Sequence, residues 1–295
     1  STSRSIFPGP CEAGEHRNGG DELVNGKPLP RFWMWLGVSL VLAALLAFIF
    51  FTPPALLRKA DYIAAAVCHR LPGHSFFIAG RQLPLCQRCT GTFAGALTGL
   101  LFQWGVLRRR RTQLFPPLWQ WLLVGVFAAA WGLDGFNSYT TLFLRREVGI
   151  LGYAPQPWIR LFTGTFMGLG MSLVLVSALN QVFWRDALPE APLPHWRQVA
   201  PLLALALLQA AVFYTLEPWL LYPIALYSTA GVIAMLTCLG AMVWVMALRR
   251  EQTYSSWREA WLPFVWGGVF TSVIILGMGG VRLLLTGSVD GVPGL

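Results

Sequence analysis

Seven apolar stretches, each long enough to cross a bilayer, constrain this chain more than any other feature. A spanning helix needs about 20 mostly apolar residues. Of the 295 residues, 55% are hydrophobic and only 12% are charged, whereas soluble domains carry about 25% charged residues. The sequence therefore predicts an all-α membrane helix bundle with about seven transmembrane helices, over residues 32–51, 89–107, 117–136, 159–182, 199–216, 219–248 and 261–285.

The composition divides the chain into three parts. Residues 1–31 form a polar tail rich in Gly and Pro, residues 32–287 a transmembrane helical domain, and residues 288–295 a short C-terminal tail. A tail with so few apolar residues does not fold alone, although it can order against a partner subunit. Cys11 and His16 lie in this tail, and we interpret them as ordinary tail residues.

The excess of basic residues indicates a membrane protein, and we expect no nucleic-acid partner. The net charge is +9, but the arginines stand at the ends of apolar runs and form no patterned patch. Lys and Arg are enriched on the cytoplasmic side of membrane proteins. The run of four arginines at 108–111 predicts that this loop and the N-terminus are cytoplasmic. Membrane lipids are then the expected surroundings.

A polar loop between the first two spans holds three of the five cysteines. Residues 55–68 predict a short amphipathic helix at the interface, with Arg58, Lys59, Asp61 and Tyr62 opposite its apolar positions. It leads to Cys68 and His69, and a Cys-x-x-Cys motif, Cys86 to Cys89, follows at the start of the second span. A helix N-terminus stabilises a thiolate, and Arg88 adds positive charge there.

Three cysteines and one histidine suit a tetrahedral metal site. Cys68, His69, Cys86 and Cys89 would bind zinc, or less favourably iron, in a structural Cys₃His arrangement. Adjacent residues on a regular helix point about 100° apart, so Cys68 and His69 could share an ion only where the helix unwinds, and His74 is the alternative ligand. A disulfide, Cys86–Cys89 or either one with Cys68, and free thiols without a role remain open.

Further ionisable residues fall on the same face of the predicted bundle. Asp134 ends the third span and Arg160 opens the fourth. Charged groups at a membrane edge are usually paired, so we expect Asp134 to pair with Arg160 or Arg88. The residues that converge on this cysteine face are Cys68, His69, Arg70, Cys86, Arg88, Cys89, Asp134, Arg160, Glu217 and Arg282.

Glycines at intervals of four predict close helix contacts. Gly91, Gly95 and Gly99 follow one side of the second span, and Gly164 and Gly168 do so in the fourth. Small residues at this spacing let helices approach closely in lipid, so we expect these two spans to cross. The glycine run at 277–280 in the last span would leave room for a lipid tail, a quinone or a pigment.

The cysteine loop also resembles a known signature. Residues 68–95 contain C-H-R-L-P, S-F-F-I-A-G-R-Q-L-P-L-C-Q-R-C and T-G-T-F-A-G, and L-D-G follows at 133–135 and R-L-F-T-G-T-F-M-G-L-G at 160–170. Over about residues 60–182 this is similar to domain of unknown function 2085, a family of prokaryotic membrane proteins. His74 stands where that family commonly has Arg. The resemblance implies that the Cys-His pair and the Cys-x-x-Cys motif belong together, and that the chain lies in a prokaryotic cytoplasmic (inner) membrane.

These features favour a non-catalytic protein. We expect a metal-stapled structural or accessory subunit of a larger membrane assembly, such as a respiratory or photosynthetic electron-transport complex. The alternative is a thiol-disulfide or quinone oxidoreductase in which Cys86 and Cys89 exchange electrons, Arg88 tunes the thiolate and Asp134 relays protons; a transporter is weaker. The sequence lacks the nucleotide-binding G-x-x-x-x-G-K-[ST], H-E-x-x-H and G-x-S-x-G motifs.

Overall fold

Eight α-helices and one β-hairpin make up the part of the chain that the structure, a computed structural model, describes: residues 30–106, 111–144 and 147–290. Cys11, His16 and the arginines at 108–110 lie outside it. The helices are α1 (Arg31–Phe51), α2 (Leu56–Ala65), α3 (Gln87–Leu101), α4 (Leu118–Leu144), α5 (Pro157–Phe183), α6 (Trp196–Tyr214), α7 (Leu221–Ala247) and α8 (Trp257–Thr286), and the hairpin pairs β1 (Ser75–Ile78) with β2 (Arg81–Cys86).

The predicted helical membrane bundle is confirmed. All seven predicted spans fall on helices, and α2 is the short additional helix. Within the described ranges, five helices are long and apolar enough to cross a membrane: α1, α5, α6, α7 with the turn before it, and α8. The α3 helix is shorter, continues as a π-helix over Phe102–Val106, and buries many polar side chains. Thus α3 contributes an interior helix more polar than the sequence reading assumed.

Consecutive long helices run in opposite directions, which gives the bundle two distinct faces. On one face the residue after α5 meets the loop after α7, where the backbones of Trp184 and Tyr254 form an isolated β-bridge. A second β-bridge joins Thr112 to Leu188. On the other face the start of α3 meets the second half of α4, where Arg88 contacts Asp134. The second face is the cysteine face, so the predicted gathering of the polar residues there follows from this alternation.

Helix α3 forms the centre of the bundle because its glycines allow backbone contact with α5. A Cβ atom on Gly95 would overlap the carbonyl oxygen of Thr165, and one on Gly168 would overlap that of Thr92. On its other side α3 contacts α7, where Gly231 lies against the carbonyl of Phe93. The predicted crossing of the second and fourth spans is therefore confirmed, with glycines on both helices at the contact.

The segment between Cys68 and Cys86 is more regular than the sequence suggested. We expected a loop there, but it folds into the β1–β2 hairpin. Its two turn residues, Ala79 and Gly80, have φ angles of 50° and 75°, as a tight hairpin turn with two positive φ angles requires. The hairpin carries the chain back so that Cys86 ends β2 at the start of α3.

The close contact of α3 and α5 makes a specific prediction about glycine substitutions. Gly168→Ala should lower the free energy of unfolding by roughly 1–3 kcal/mol, because its methyl group would force two packed backbones apart. Gly125→Ala in α4 is the control, since a Cβ there meets nothing within 4 Å; it should be neutral or stabilise by up to about 1 kcal/mol. Thermal unfolding in detergent measures both variants, and equal effects would contradict the contact.

Candidate metal centre

Three cysteine sulfurs meet at the cysteine face. Cys68 follows α2, Cys86 is the last residue of β2, and Cys89 lies in the first turn of α3. Their Sγ atoms all lie within 4.8 Å of one another. A tetrahedral zinc ion with bonds of about 2.3 Å sets its sulfur ligands about 3.8 Å apart. The three sulfurs therefore lie close to the spacing that one metal ion requires.

Backbone N–H groups hold two of these sulfurs in place. The amide of Cys86 donates to Cys68 Sγ at 3.2 Å, and the amide of Cys89 donates to Cys86 Sγ at 3.5 Å. Cys86 is the N-cap of α3, where unpaired amides and the helix dipole favour negative charge. The sequence predicted this thiolate-stabilising position from the Cys-x-x-Cys motif at the start of a helix.

The thiols also interact with one another, which separates their pKa values. A side-chain hydrogen bond from Cys86, and a weaker one from Cys89, hold the pKa of Cys68 well below its usual value. The same bond to Cys68, together with burial, raises the pKa of Cys86 to about 12. Cys68 is therefore the first of the two to ionise. Both side chains are buried, with Cys68 6% and Cys86 4% exposed.

The two histidines follow Cys68 along the chain, but among the described residues their ring nitrogens do not join the group of sulfurs that lie within 4.8 Å of one another. His69 Nδ1 accepts a hydrogen bond from the amide of Leu71 at 3.0 Å, so a neutral His69 carries its proton on Nε2. The His74 ring lies 5.5 Å from the His69 ring. Burial is the main cause that lowers the pKa of His74 to about 4, and the positive charge of Arg160 is the second. His74 is then neutral at pH 7, and His69 as the fourth ligand stays a prediction.

Asp61 anchors the polypeptide around the cysteines. Its carboxylate is fully buried and binds Arg70 at 2.7 Å, Arg58 at 3.3 Å, and Arg81 from the hairpin. Arg70 is itself only 1% exposed and also reaches Asp290. The sequence placed Asp61 on the polar side of α2, which implied that its side chain would be exposed. In the structure this side of the helix faces inward, because arginines neutralise the buried carboxylate there.

Arg282 of α8 holds the Cys68 segment from the other side. Its guanidinium donates to the carbonyl oxygens of Cys68 at 2.6 Å and His69 at 2.8 Å, and also to that of Ala65 at 3.4 Å. These carbonyls follow the end of α2, where the helix dipole favours a cation. A second contact, to the carbonyl of Asp290, ties the chain after α8 to the same point.

A second polar cluster lies beside the sulfurs. Arg88 forms an ion pair with Asp134, whose carboxylate also accepts from Tyr153 at 3.2 Å. The expected pairing of Asp134 is thus with Arg88. Arg160 is 6% exposed and donates instead to Gln87 Oε1 at 3.1 Å and Ser138 Oγ at 3.3 Å.

Most of the predicted convergence is therefore observed. Glu217 is the exception, because its residue is exposed in the turn before α7 and takes no part in the ion pairs formed by the described residues. The residues that sequence reasoning missed here are Asp61, Gln87, Ser138 and Tyr153. Only Asp61, a charge within an otherwise amphipathic helix, gave a usable signal.

Comparison with known proteins places this arrangement in a family. The family model described as "Predicted membrane protein (DUF2085)" matches residues 68–174, which include the three cysteines, Arg88, Asp134 and Arg160. An uncharacterized protein of Methanothermobacter thermautotrophicus is 44% identical over 109 residues, covering 37% of this chain and 83% of the relative. The chain belongs to the DUF2085 family.

A second relative is similar to this chain over a shorter stretch. An uncharacterized protein of Methanocaldococcus jannaschii is 38% identical over 39 residues, which is 13% of this chain and a quarter of that relative. No solved structure matches the chain. The family match covers the hairpin, α3, α4 and α5 as far as residue 174, whereas α1, α2 and α6 to α8 lie outside it.

Removal of the Asp61 charge should destabilise this face strongly. Asp61→Asn leaves the buried Arg70 guanidinium without its closest carboxylate, and breaking a buried pair in this way costs about 3–5 kcal/mol of unfolding free energy. Asp186→Asn, an exposed site on the opposite face, is the matched control and should change stability by less than about 0.5 kcal/mol. Thermal and denaturant unfolding in detergent measure the difference. Equal stability of the two variants would show that Asp61 is not the anchor.

Proposed function

We propose that Cys68, Cys86 and Cys89 bind one metal ion, with zinc as the favoured ion, in a structural site of this integral membrane protein. The observation that carries the proposal is that three sulfurs from two separate segments lie within 4.8 Å of one another. Thiolates select zinc or iron among the common metals. Zinc adopts the tetrahedral geometry that the sulfur spacing fits.

The number of thiols favours a metal over a disulfide. A disulfide would join two of the three sulfurs and leave the third buried beside it without a partner. A metal uses all three, and the amide donors on Cys68 and Cys86 stabilise their thiolates as ligands. The fourth position would belong to His69, as the sequence predicts, or to His74 or a water molecule. If His69 Nδ1 were to bind the metal, it would have to lose its hydrogen bond from the Leu71 amide.

The proposed metal acts as a staple between α2 and α3. Cys68 lies after α2, and the other two ligands lie 18 and 21 residues later at the start of α3. The hairpin between them packs Phe76, Ile78, Leu83 and Leu85 into the core. Metal-binding free energy would add to the stability that this packing gives to the folded hairpin. Such a site fixes the hairpin on the bundle without a chemical reaction.

We also propose that the protein is an accessory subunit of a larger membrane assembly, with electron-transport complexes as the favoured class. In support of a non-catalytic role, the ionisable groups of the cysteine face, apart from the exposed Glu217, are largely engaged within the chain. Asp61 binds arginines, Asp134 binds Arg88, and Arg282 binds backbone carbonyls. Because these side chains already bind partners within the chain, they are poorly placed to transfer protons or to orient a substrate.

The alternative thiol oxidoreductase finds less support. Such an enzyme needs a thiol that a quinone or a protein disulfide can reach. Cys68 and Cys86 are 6% and 4% exposed, and Cys89 is partly buried. The transporter alternative draws support from no feature of the described helices.

Elemental analysis of the detergent-purified protein tests the metal site. We expect about one zinc ion per chain in the wild type and less than a tenth of that in Cys68→Ser and Cys86→Ser, because two sulfurs hold zinc far more weakly than three. Cys238→Ser is the matched control, since Cys238 is a buried thiol of α7 that lies away from the trio; its zinc content should equal that of the wild type.

A chelator supplies the second arm of this test. Removal of the metal with a membrane-permeant chelator should lower the melting temperature of the wild type and leave the metal-free Cys86→Ser variant unchanged. A wild type without metal, whose Cys86 and Cys89 cycle between thiol and disulfide, would contradict the proposal and support the oxidoreductase.

A further inference from the structure

A second polar site lies at the side of the bundle, between α3, α6 and α7 and away from the cysteines. Thr98 of α3, Gln209 of α6 and Tyr227 of α7 meet in a cavity of about 600 Å³. Apolar side chains form the rest of its wall: Leu205, Phe213, Pro223 and Leu226. Mostly apolar cavities of this size with a few convergent polar groups are typical small-molecule sites.

The three polar side chains hydrogen-bond to one another. Thr98 Oγ1 bonds to Gln209 Oε1, and it lies 2.8 Å from the Tyr227 hydroxyl. Thr98 is 5% exposed. Because one hydroxyl hydrogen cannot serve two acceptors, the chain runs from Tyr227 to Thr98 to Gln209, with each hydroxyl donating once.

The hydrogen bonds within this trio leave two donor hydrogens without an acceptor. Two hydroxyls and one amide supply four donor hydrogens in total, and the two bonds between them consume two. The count does not change if the Gln209 amide is turned over, since the spare donors then include the Tyr227 hydroxyl. As the amide stands, Gln209 Nε2 is buried without a hydrogen-bond partner among the described residues.

The unused donors lie within a membrane-spanning part of the fold. Gln209 is five residues before the end of α6 and Tyr227 six residues after the start of α7, which is roughly 8–9 Å along each helix. Hydrocarbon offers no acceptor for a polar hydrogen there. Leu205 and Leu226 are 42% and 38% exposed, so the cavity opens toward the lipid.

We propose that this cavity binds a lipophilic molecule through a carbonyl oxygen. The oxygen accepts from the spare donors of Gln209 or Tyr227, and the apolar body lies against Phe213, Leu205 and Leu226. The required chemistry is a hydrogen-bond acceptor on a membrane-soluble carrier, which both a long-chain quinone and the acyl ester of a lipid provide. This inference is independent of the proposed metal site.

Binding of a decyl-substituted benzoquinone to the full chain in lipid nanodiscs tests the proposal. Radiolabelled quinone is counted after gel filtration, and empty nanodiscs give the background. We expect saturable binding near one quinone per chain, and an affinity about tenfold lower in Gln209→Met, which keeps the side-chain length and removes both amide donors. Tyr222→Phe, an exposed tyrosine of α7 outside the cavity, is the matched control and should bind like the wild type.

The folding of the variant is checked separately. Without added quinone, Gln209→Met should melt at the wild-type temperature or above it, because it no longer buries an unpaired amide. If it fails to fold, Gln209→Leu, which likewise lacks the amide donors, takes its place and should also weaken binding.

The lipid distinguishes the two sources of the carbonyl. If quinone affinity is equal in nanodiscs of ester-linked and ether-linked phospholipid, the quinone is the favoured occupant. If quinone binds more tightly in ether-linked lipid, which has no ester carbonyl, the lipid ester competes for the same donors and is the natural occupant. Equal quinone affinity in the wild type and Gln209→Met, or no saturable binding in either lipid, would overturn the proposal.

Discussion

The backbone contact between α3 and α5 determines where the polar residues of this protein lie. Glycines on both helices let their backbones touch, as Gly95 does against Thr165 and Gly168 against Thr92. Because α3 is thereby fixed at the centre, its first turn is fixed as well. That turn carries Arg88 and Cys89. It directs Arg88 toward Asp134 in the second half of α4, and Cys89 toward Cys68 after the end of α2. A looser helix pair would leave the sulfurs without a defined position.

Charge neutralisation is the second requirement of the cysteine face. Arg70 and Arg160 are almost completely buried, which is costly unless each guanidinium finds acceptors. Arg70 finds Asp61, and Arg160 finds a glutamine and a serine. Three thiolates on a divalent metal would carry one net negative charge, which would further balance these arginines. The surroundings of the sulfurs thus suit a thiolate-rich metal centre electrostatically.

Features that repeat at a fixed spacing could be predicted from the sequence, whereas contacts between distant residues could not. Apolar length predicted the helices, and the Gly91-to-Gly99 spacing predicted the α3–α5 contact. The hairpin escaped because its Ala79–Gly80 turn lacks the Asn-Gly or Asp-Gly that marks such turns. The burial of Asp61 and the trio of Thr98, Gln209 and Tyr227 depend on which helices become neighbours, and helical periodicity alone does not encode that choice.

The most direct measurement of the central claim, a metal held by three sulfurs, is X-ray absorption at the zinc edge of the purified protein. We expect a first coordination shell of three sulfur atoms at about 2.3 Å and one nitrogen or oxygen at about 2.0–2.1 Å. In the Cys68→Ser variant this signature should disappear together with the metal. A first shell made only of nitrogen and oxygen, or no zinc edge above background, would contradict it.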